Sequence, residues 1–347
     1  KELLFQFLDA TQPKEMAELR KIFKDSLNET LINYITNEMT KAKGSLLYIL
    51  KHGIDISNIH LDLMYTKPAT GFNPELTKKY EQNIFSVAEE IWANDTERVD
   101  VVIFLNGFAI MSFELKCNFA GQSYQDAIYQ YRTQRDSKLR LFKFKCGCLV
   151  NFAMDLEQVF MATKLCGAST LFLPFNKGNG EGVEAGAGNS PETGVSYMWE
   201  DVLQKDSVLE LISKFIIHEI KEEEDELTGK KKVKENIIFP RYHQRDVLHK
   251  VLEDVYHNGS SQNYLIQHSA GSGKTYSIAW LAYRLSSLHD ANDKIIFDNI
   301  IIVTDRVVVD RQLQQAILNM EHKSGFIKVM DDKCNSSDLA FALTGNT

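Results

Sequence analysis

Nine consecutive residues, Gln267-His268-Ser269-Ala270-Gly271-Ser272-Gly273-Lys274-Thr275, combine glycines, a lysine and a hydroxyl at spacings suited to a polyphosphate. Gly271 and Gly273 let the backbone curl, so that successive N–H groups from Ala270 onward, Ser272 included, point at phosphate oxygens. Lys274 supplies a point charge for the outer phosphates, and the Thr275 hydroxyl can ligate Mg²⁺. A second constellation lies upstream: Asp100, then Glu114-Leu115-Lys116. Two carboxylates converging on one Mg²⁺, with a lysine two residues beyond the second, can hydrolyse a phosphodiester. The metal holds the phosphate and lowers the pKa of the attacking water. Side chains alternate along a strand, so Lys116 shares the Glu114 face and can orient that water or stabilise the developing charge.

Both constellations need elements that aim them. Tyr264–Ile266 reads as a buried strand and Ser277–Leu285 as an amphipathic helix, so the glycine loop joins a strand to a helix N-terminus. His268 stands where the general pattern has its first glycine, a departure that points to the helicase-type subclass of such loops. Val99–Leu105 and Phe108–Leu115 flank Asn106-Gly107 and read as a hairpin. Its register sets a condition. A strict two-residue turn pairs Asp100 with Phe113 and puts Asp100 and Glu114 on opposite faces. A three-residue loop, Asn106-Gly107-Phe108, or a β-bulge brings them opposite one another, and the metal reading requires one of the two. A helix over 122–135 follows, presenting Gln125, Tyr129 and Gln130 as polar groups for a phosphate or the metal's water shell.

The rest of the chain gives the setting. Its 347 residues suffice for two domains, each with its own core, and 44% hydrophobic with 25% charged is the composition of an ordinary soluble globular protein. No run approaches the roughly 18 apolar residues of a membrane span, and no signal peptide is visible. Cys117, Cys146, Cys148, Cys166 and Cys334 show no paired spacing, which fits a reducing, cytoplasmic setting. The net charge of −8 argues against a surface coated in nucleic acid but allows a local basic track, such as Arg132, Arg135, Lys138, Arg140, Lys143 and Lys145. Residues 1–60 read as helical, a helix is expected from Pro74 to about Trp92, and strands at Cys148–Ala153 and Val159–Thr163. The glycine-rich stretch 176–196 reads as a surface loop or lid. A helix over 199–219 is expected to run into a charged linker, Lys221-Glu222-Glu223-Glu224-Asp225-Glu226 with Lys230-Lys231-Lys232.

Taken together the motifs look familiar. Asp100…Glu114-Leu115-Lys116 resembles the PD-(D/E)xK nuclease motif. Phe172–Gly178, Ile238–Gln244, the loop Gln267–Thr275 and Val303-Thr304-Asp305-Arg306 follow in the order of the restriction (motor) subunit of type I restriction-modification enzymes, N-terminal part. The resemblance covers nearly the whole chain. It implies an α/β chain: a PD-(D/E)xK-type mixed-sheet nuclease domain with its helical N-terminal region over 1–220, a linker over 221–235, and the start of a RecA-like helicase domain over 236–347. It further implies that Asp100, Glu114 and Lys116 are the nuclease triad. The family's auxiliary glutamine falls at Gln130, with Gln125 and Tyr129 an alternative by spacing. Gln244 matches the glutamine that reads the adenine edge, with Tyr242 or Arg241 near the base, and Thr304, Asp305 and Arg306 match the next helicase motif. The implied cofactors are ATP and Mg²⁺. The implied partners are double-stranded DNA and the methyltransferase and specificity subunits, with no membrane. Two other readings stay open: a translocase whose hairpin is structural, and a non-catalytic assembly module. The 72 residues after Thr275 hold no Asp-Glu motif for the second side of the Mg²⁺–ATP site, so weak ATP binding is expected of the chain as given.

Overall fold

Local signals set the first helices. Pro13 opens α2 (Pro13–Phe23) just after α1 (Glu2–Thr11), and α3 (Leu27–Thr40) buries Leu27, Leu31, Ile35 and Met39 on one stripe. The Ser45 hydroxyl accepts the Tyr48 N–H to cap α4 (Leu46–His52), which ends at Gly53 with φ +68°. A short hairpin, β1 (Ile54–Ile56) with β2 (Ile59–Leu61), follows. The computed structural model describes residues 1–68, 72–180, 186–224, 231–305, 307–318, 320, 327–330 and 334–344, with side chains at all of these except 222–224, 231, 232 and 308. They divide into two units, Lys1–His243 and Gln244–Thr347.

The first unit is built on a six-stranded mixed sheet: β3 (Phe85–Trp92), β4 (Arg98–Leu105), β5 (Phe108–Leu115), β6 (Val150–Met154), β7 (Val159–Ala162) and β8 (Leu173–Pro174), in that spatial order. Only β5 and β6 are parallel, and they are joined by a crossover that contains α6 (Tyr124–Thr133). A capping box formed by Ser123 and Asp126 starts α6. Ala127 and Tyr131 of α6 pack with Val102, Ala153 and Ala162 on one face of the sheet. Strand alternation sends Phe113 and Phe152 to the other face, where their rings stack at 5.1 Å and continue through Phe175 and Phe239. Asp100, Ser112, Glu114 and Lys116 thus belong to the α6 face.

Two expected elements differ. The helix from Pro74 ends at Glu81 (α5, Pro74–Glu81), and Phe85–Trp92 is an edge strand, not helix. Buried Asn83 makes the break: its Nδ2 donates to the carbonyls of Tyr65 and Tyr80, and its Oδ1 accepts from the Tyr65 N–H. Pairing with β4 then overrides local helical spacing. Likewise the helix over 199–219 with its charged linker is replaced by α7 (Lys205–Glu210), flanked by wide helical turns, and a hairpin of β9 (Ile217–Glu224) with β10 (Lys231–Ile238). The register sets Lys231 opposite Glu224 and Lys232 opposite Glu223, so the two charge runs oppose each other across the ladder. Composition alone cannot distinguish such a ladder from a solvated tether.

The second unit contains α8 (Tyr242–Asn258) from Gln244 onward, α9 (Lys274–Leu285), α10 (Val307–Leu318) and α11 (Ser336–Thr344). Trp280 is fully buried, and Leu248, Val255, Leu313 and Ala316 join it in the interior of this unit. The strand expected at Tyr264–Ile266 does not form here. Tyr264–Ile266 and Ile300–Val303 have no ladder partner among the described residues, and Leu265 and Val303 are 94% and 87% exposed. A buried parallel strand exists only through neighbours on its flanks, which local sequence does not supply. No described helix is long and apolar enough to cross a membrane.

Candidate active site

The β4–β5 hairpin turns through two residues, Asn106 and Gly107, with Leu105 opposite Phe108. Both turn residues have positive φ, +49° and +83°. Asn106 is buried, and its side chain accepts the Ile84 N–H and donates to the Leu63 carbonyl. The register then slips between Ile103 and Phe104: Phe104 faces Ala109, whereas Ile103 faces Met111. That bulge is one of the two devices the metal reading requires. It gives Val101 opposite Phe113, and by continuation Asp100 opposite Glu114.

Asp100 Oδ2 accepts the Leu115 N–H at 2.7 Å and lies 3.7 Å from Lys116 Nζ. Glu114 is fully buried, and its Oε1 accepts a 2.7 Å hydrogen bond from Arg135 Nε. Arg135, 7% exposed, also donates to the carbonyls of Arg98 and Gln134. Burial pushes the Glu114 carboxyl up to about 7; Arg135 opposes the rise, the Asp100 charge adds to it, and Lys116 lowers it. In the sequence Arg135 reads as one more charge in a basic run. The usable signal was Glu114 itself, a carboxylate in an apolar strand that needs a buried cation.

Asp100, Glu114 and Lys116 are therefore brought together. Gln130 sits half-buried on α6 and makes no hydrogen bond to these three among the described residues; Gln125 and Tyr129 are exposed. The residues fit a divalent cation in one specific respect: Glu114 Oε2 is buried with no hydrogen-bond partner among the described residues.

The phosphate loop has a different character. Gly271 and Gly273 adopt φ +74° and +88°, and Gly273 leads directly into α9. Lys274 Nζ donates to the carbonyls of His268 and Ser269, each at 2.9 Å, so the ammonium lies within the curl of its own loop. The Tyr276 N–H closes onto the Gly273 carbonyl. Ser272 is buried, Thr275 half-buried, and Ala270 exposed. Positive-φ glycines, a lysine in the curl and a helix N-terminus fit a polyphosphate.

Gln244 is 4% exposed and its Nε2 donates to the Gly273 carbonyl at 2.9 Å, so its amide is engaged with the loop where a role on the adenine edge was expected. Tyr242, expected near the base, has its ring 4.9 Å from Tyr197 and 5.9 Å from Phe175 and belongs to the aromatic interior of the first unit. Arg241 is half-buried. Thr304 and Asp305 precede α10, and Arg306 lies outside the described residues.

Residues 3–167 match the family model described as type I restriction enzyme R protein N terminus, and residues 237–344 match that described as type III restriction enzyme, res subunit. The class is a restriction-enzyme polypeptide with a helicase-like second region. Over 311 residues, 86% of the chain, it is 28% identical to a Methanocaldococcus jannaschii protein named "Putative type I restriction enzyme MjaVIIIP endonuclease subunit". Over 231 residues, 63% of the chain, it is 29% identical to the "Putative type I restriction enzyme MjaVIIP endonuclease subunit" of the same organism. The chain spans 27% and 19% of the lengths of these relatives. The two matched regions and the relatives together support a type I restriction subunit.

Proposed function

We propose that this chain serves as motor and nuclease of a type I restriction-modification complex, coupling ATP-driven translocation of double-stranded DNA to Mg²⁺-dependent cleavage. The carrying observation is the β4–β5 bulge, which sets Asp100 against Glu114 with Lys116 on the same face. A mixed sheet with α6 in the crossover between parallel β5 and β6 supports a PD-(D/E)xK-type fold for the first unit.

Asp100 and Glu114 would hold the Mg²⁺, which when bound supplies a Lewis acid for the phosphodiester and acidifies a water. Lys116 adds a fixed positive charge beside Asp100, where negative charge accumulates on the phosphate during attack. Gln130, on the α6 face, is the auxiliary polar group. In the second unit, Lys274 would exchange its two loop carbonyls for the outer phosphates of ATP, while backbone N–H groups from Ala270 through Thr275 cradle them. The Thr275 hydroxyl would ligate the Mg²⁺ that accompanies the nucleotide. Gln244 acts on the loop through Gly273, and Tyr242 and Arg241 stand just before it in sequence. Base recognition would fall to a specificity subunit and modification to a methyltransferase subunit, a division consistent with the acidic charge of this chain.

The test is Mg²⁺-dependent DNA cleavage by the complex assembled with both partner subunits, using Glu114→Ala and Lys116→Ala. Both are expected to abolish cutting; undiminished cutting contradicts the nuclease assignment. A second reading, a translocase that makes no cut, is favoured by the Glu114–Arg135 pair, because a buried ion pair engages one oxygen of Glu114 without a metal. Under that reading Glu114→Ala lowers stability and leaves cleavage by the complex unaltered.

A further inference from the structure

Arg135 matches none of the nuclease positions, yet it makes the closest side-chain contact to Glu114. We infer that Arg135 is a positioning residue of the cation site: it takes one oxygen of Glu114 and leaves the other as the oxygen presented to a divalent cation. The inference rests on the nuclease reading of Asp100, Glu114 and Lys116.

Its basis is how the guanidinium is used. An arginine facing a carboxylate commonly forks, one N–H to each oxygen. Here Nε donates to Oε1 at 2.7 Å and Nη2 stands 2.7 Å from that same oxygen. Oε2 is left buried and unpartnered in a residue with no exposed surface. An orphaned carboxylate oxygen is costly, and a native fold that carries one usually has a ligand for it.

The guanidinium is itself fixed. Nη2 donates to the Arg98 carbonyl at 2.8 Å, two residues before Asp100, and Nη1 donates to the Gln134 carbonyl at the C-terminal end of α6. One side chain therefore references Glu114 to the strand that carries Asp100 and to the helix that carries Gln130. The helix is tied back to β5 by a second buried bond, Tyr131 Oη to Ser112 Oγ at 2.9 Å.

Loss of the guanidinium has a definite sign. Glu114 Oε1 would lose both of its guanidinium contacts, and nothing would then fix which of the two oxygens faces the cation. Removing such an outer partner typically weakens metal binding about 10–100-fold.

The experiment titrates Mn²⁺ into the full chain, reading free Mn²⁺ by electron paramagnetic resonance, for wild type, Glu114→Ala, Arg135→Gln and Arg135→Lys. Circular dichroism melts establish folding, and binding of a short DNA duplex without divalent cations is measured in parallel. Wild type is expected to hold Mn²⁺ at a site that Glu114→Ala removes. Arg135→Gln is expected to weaken that site about tenfold or more, Arg135→Lys to fall between the two, and cation-free DNA binding to stay unchanged in both. A purely structural arginine would lower the melting temperature and leave Mn²⁺ affinity alone. A Glu114-dependent site with wild-type affinity in Arg135→Gln overturns this inference and spares the nuclease reading; no Glu114-dependent Mn²⁺ in wild type overturns both. If Arg135→Gln does not fold, Arg135→Lys decides, and wild-type affinity there overturns the inference.

Discussion

The carboxylate face of the sheet and the phosphate loop are both short motifs, yet the fold treats them oppositely. Asp100 and Glu114 lie far apart in local geometry until a bulge, a ladder and a buried arginine bring them together. The loop at Gln267–Thr275 needs almost nothing from elsewhere: two positive-φ glycines, a helix start and a lysine that bonds its own loop. The segment before it, Tyr264–Ile266, forms no strand and is exposed among the described residues. A site made of backbone turns is written locally, whereas a site made of side chains on neighbouring strands is written in the register.

That contrast can be broken or sharpened by substitution. The largest expected effect is on the carboxylate face. Glu114→Ala should lower DNA cleavage by the assembled complex about a thousandfold, in line with loss of a metal-holding charge, while ATP turnover changes little. Equal losses in both activities would mean that the two regions are not separable as described.

A second effect follows from the buried carboxyl. Burial raises Glu114 from 4.5 to about 7 in the folded chain. A raised acid contributes stability that is complete below its unfolded value and lost as pH rises through the folded one. Wild type should therefore lose about 2–3 kcal/mol relative to Glu114→Gln between pH 5 and pH 8. Urea unfolding at the two pH values without divalent cations measures it, and a constant gap would contradict the assigned burial. Added Mn²⁺ should return part of the loss at the higher pH.

In the loop the expected effects are smaller. Lys274→Ala should weaken ATP binding about 10–100-fold, the worth of a charged hydrogen bond, without altering Mn²⁺ binding at Glu114. Calorimetric titration of both ligands separates these outcomes. The glycines differ in degree. A Cβ at Gly273 would sit 2.6 Å from Gln244 Nε2, whereas one at Gly271 meets nothing within 4 Å. Gly271→Ala should cost about 1 kcal/mol from backbone strain alone, and Gly273→Ala about 2–3 kcal/mol. Equal costs would remove Gln244 as a support of the loop.

The sequence was most legible where structure is local. The Asn106-Gly107 hairpin, the helix after the glycine loop and the helix carrying Gln130 are all present where periodicity and turn chemistry put them. The condition on the hairpin was legible too, because strand alternation made a flat two-residue turn incompatible with a shared metal. What escaped depends on partners distant in sequence. Phe85–Trp92 is a strand because β4 pairs with it, and the charged stretch is a hairpin because β9 and β10 pair along their backbones from Ile217 opposite Ile238 to Glu224 opposite Lys231. Arg135 became visible only once the fold placed the end of α6 against Glu114. Tyr242 and Gln244 sit in the expected stretch, but their side chains answer to the aromatic interior and to Gly273 respectively.

The central claim is that the bulge creates one cation site from Asp100 and Glu114, with Glu114 Oε2 as the open oxygen. Anomalous diffraction from a crystal soaked in Mn²⁺ tests it directly. The account predicts a peak within bonding distance of both carboxylates, on the Oε2 side of Glu114, with Arg135 still bonded to Oε1. A map with no peak there at saturating Mn²⁺, or with the ion bound by Asp100 alone, would contradict it.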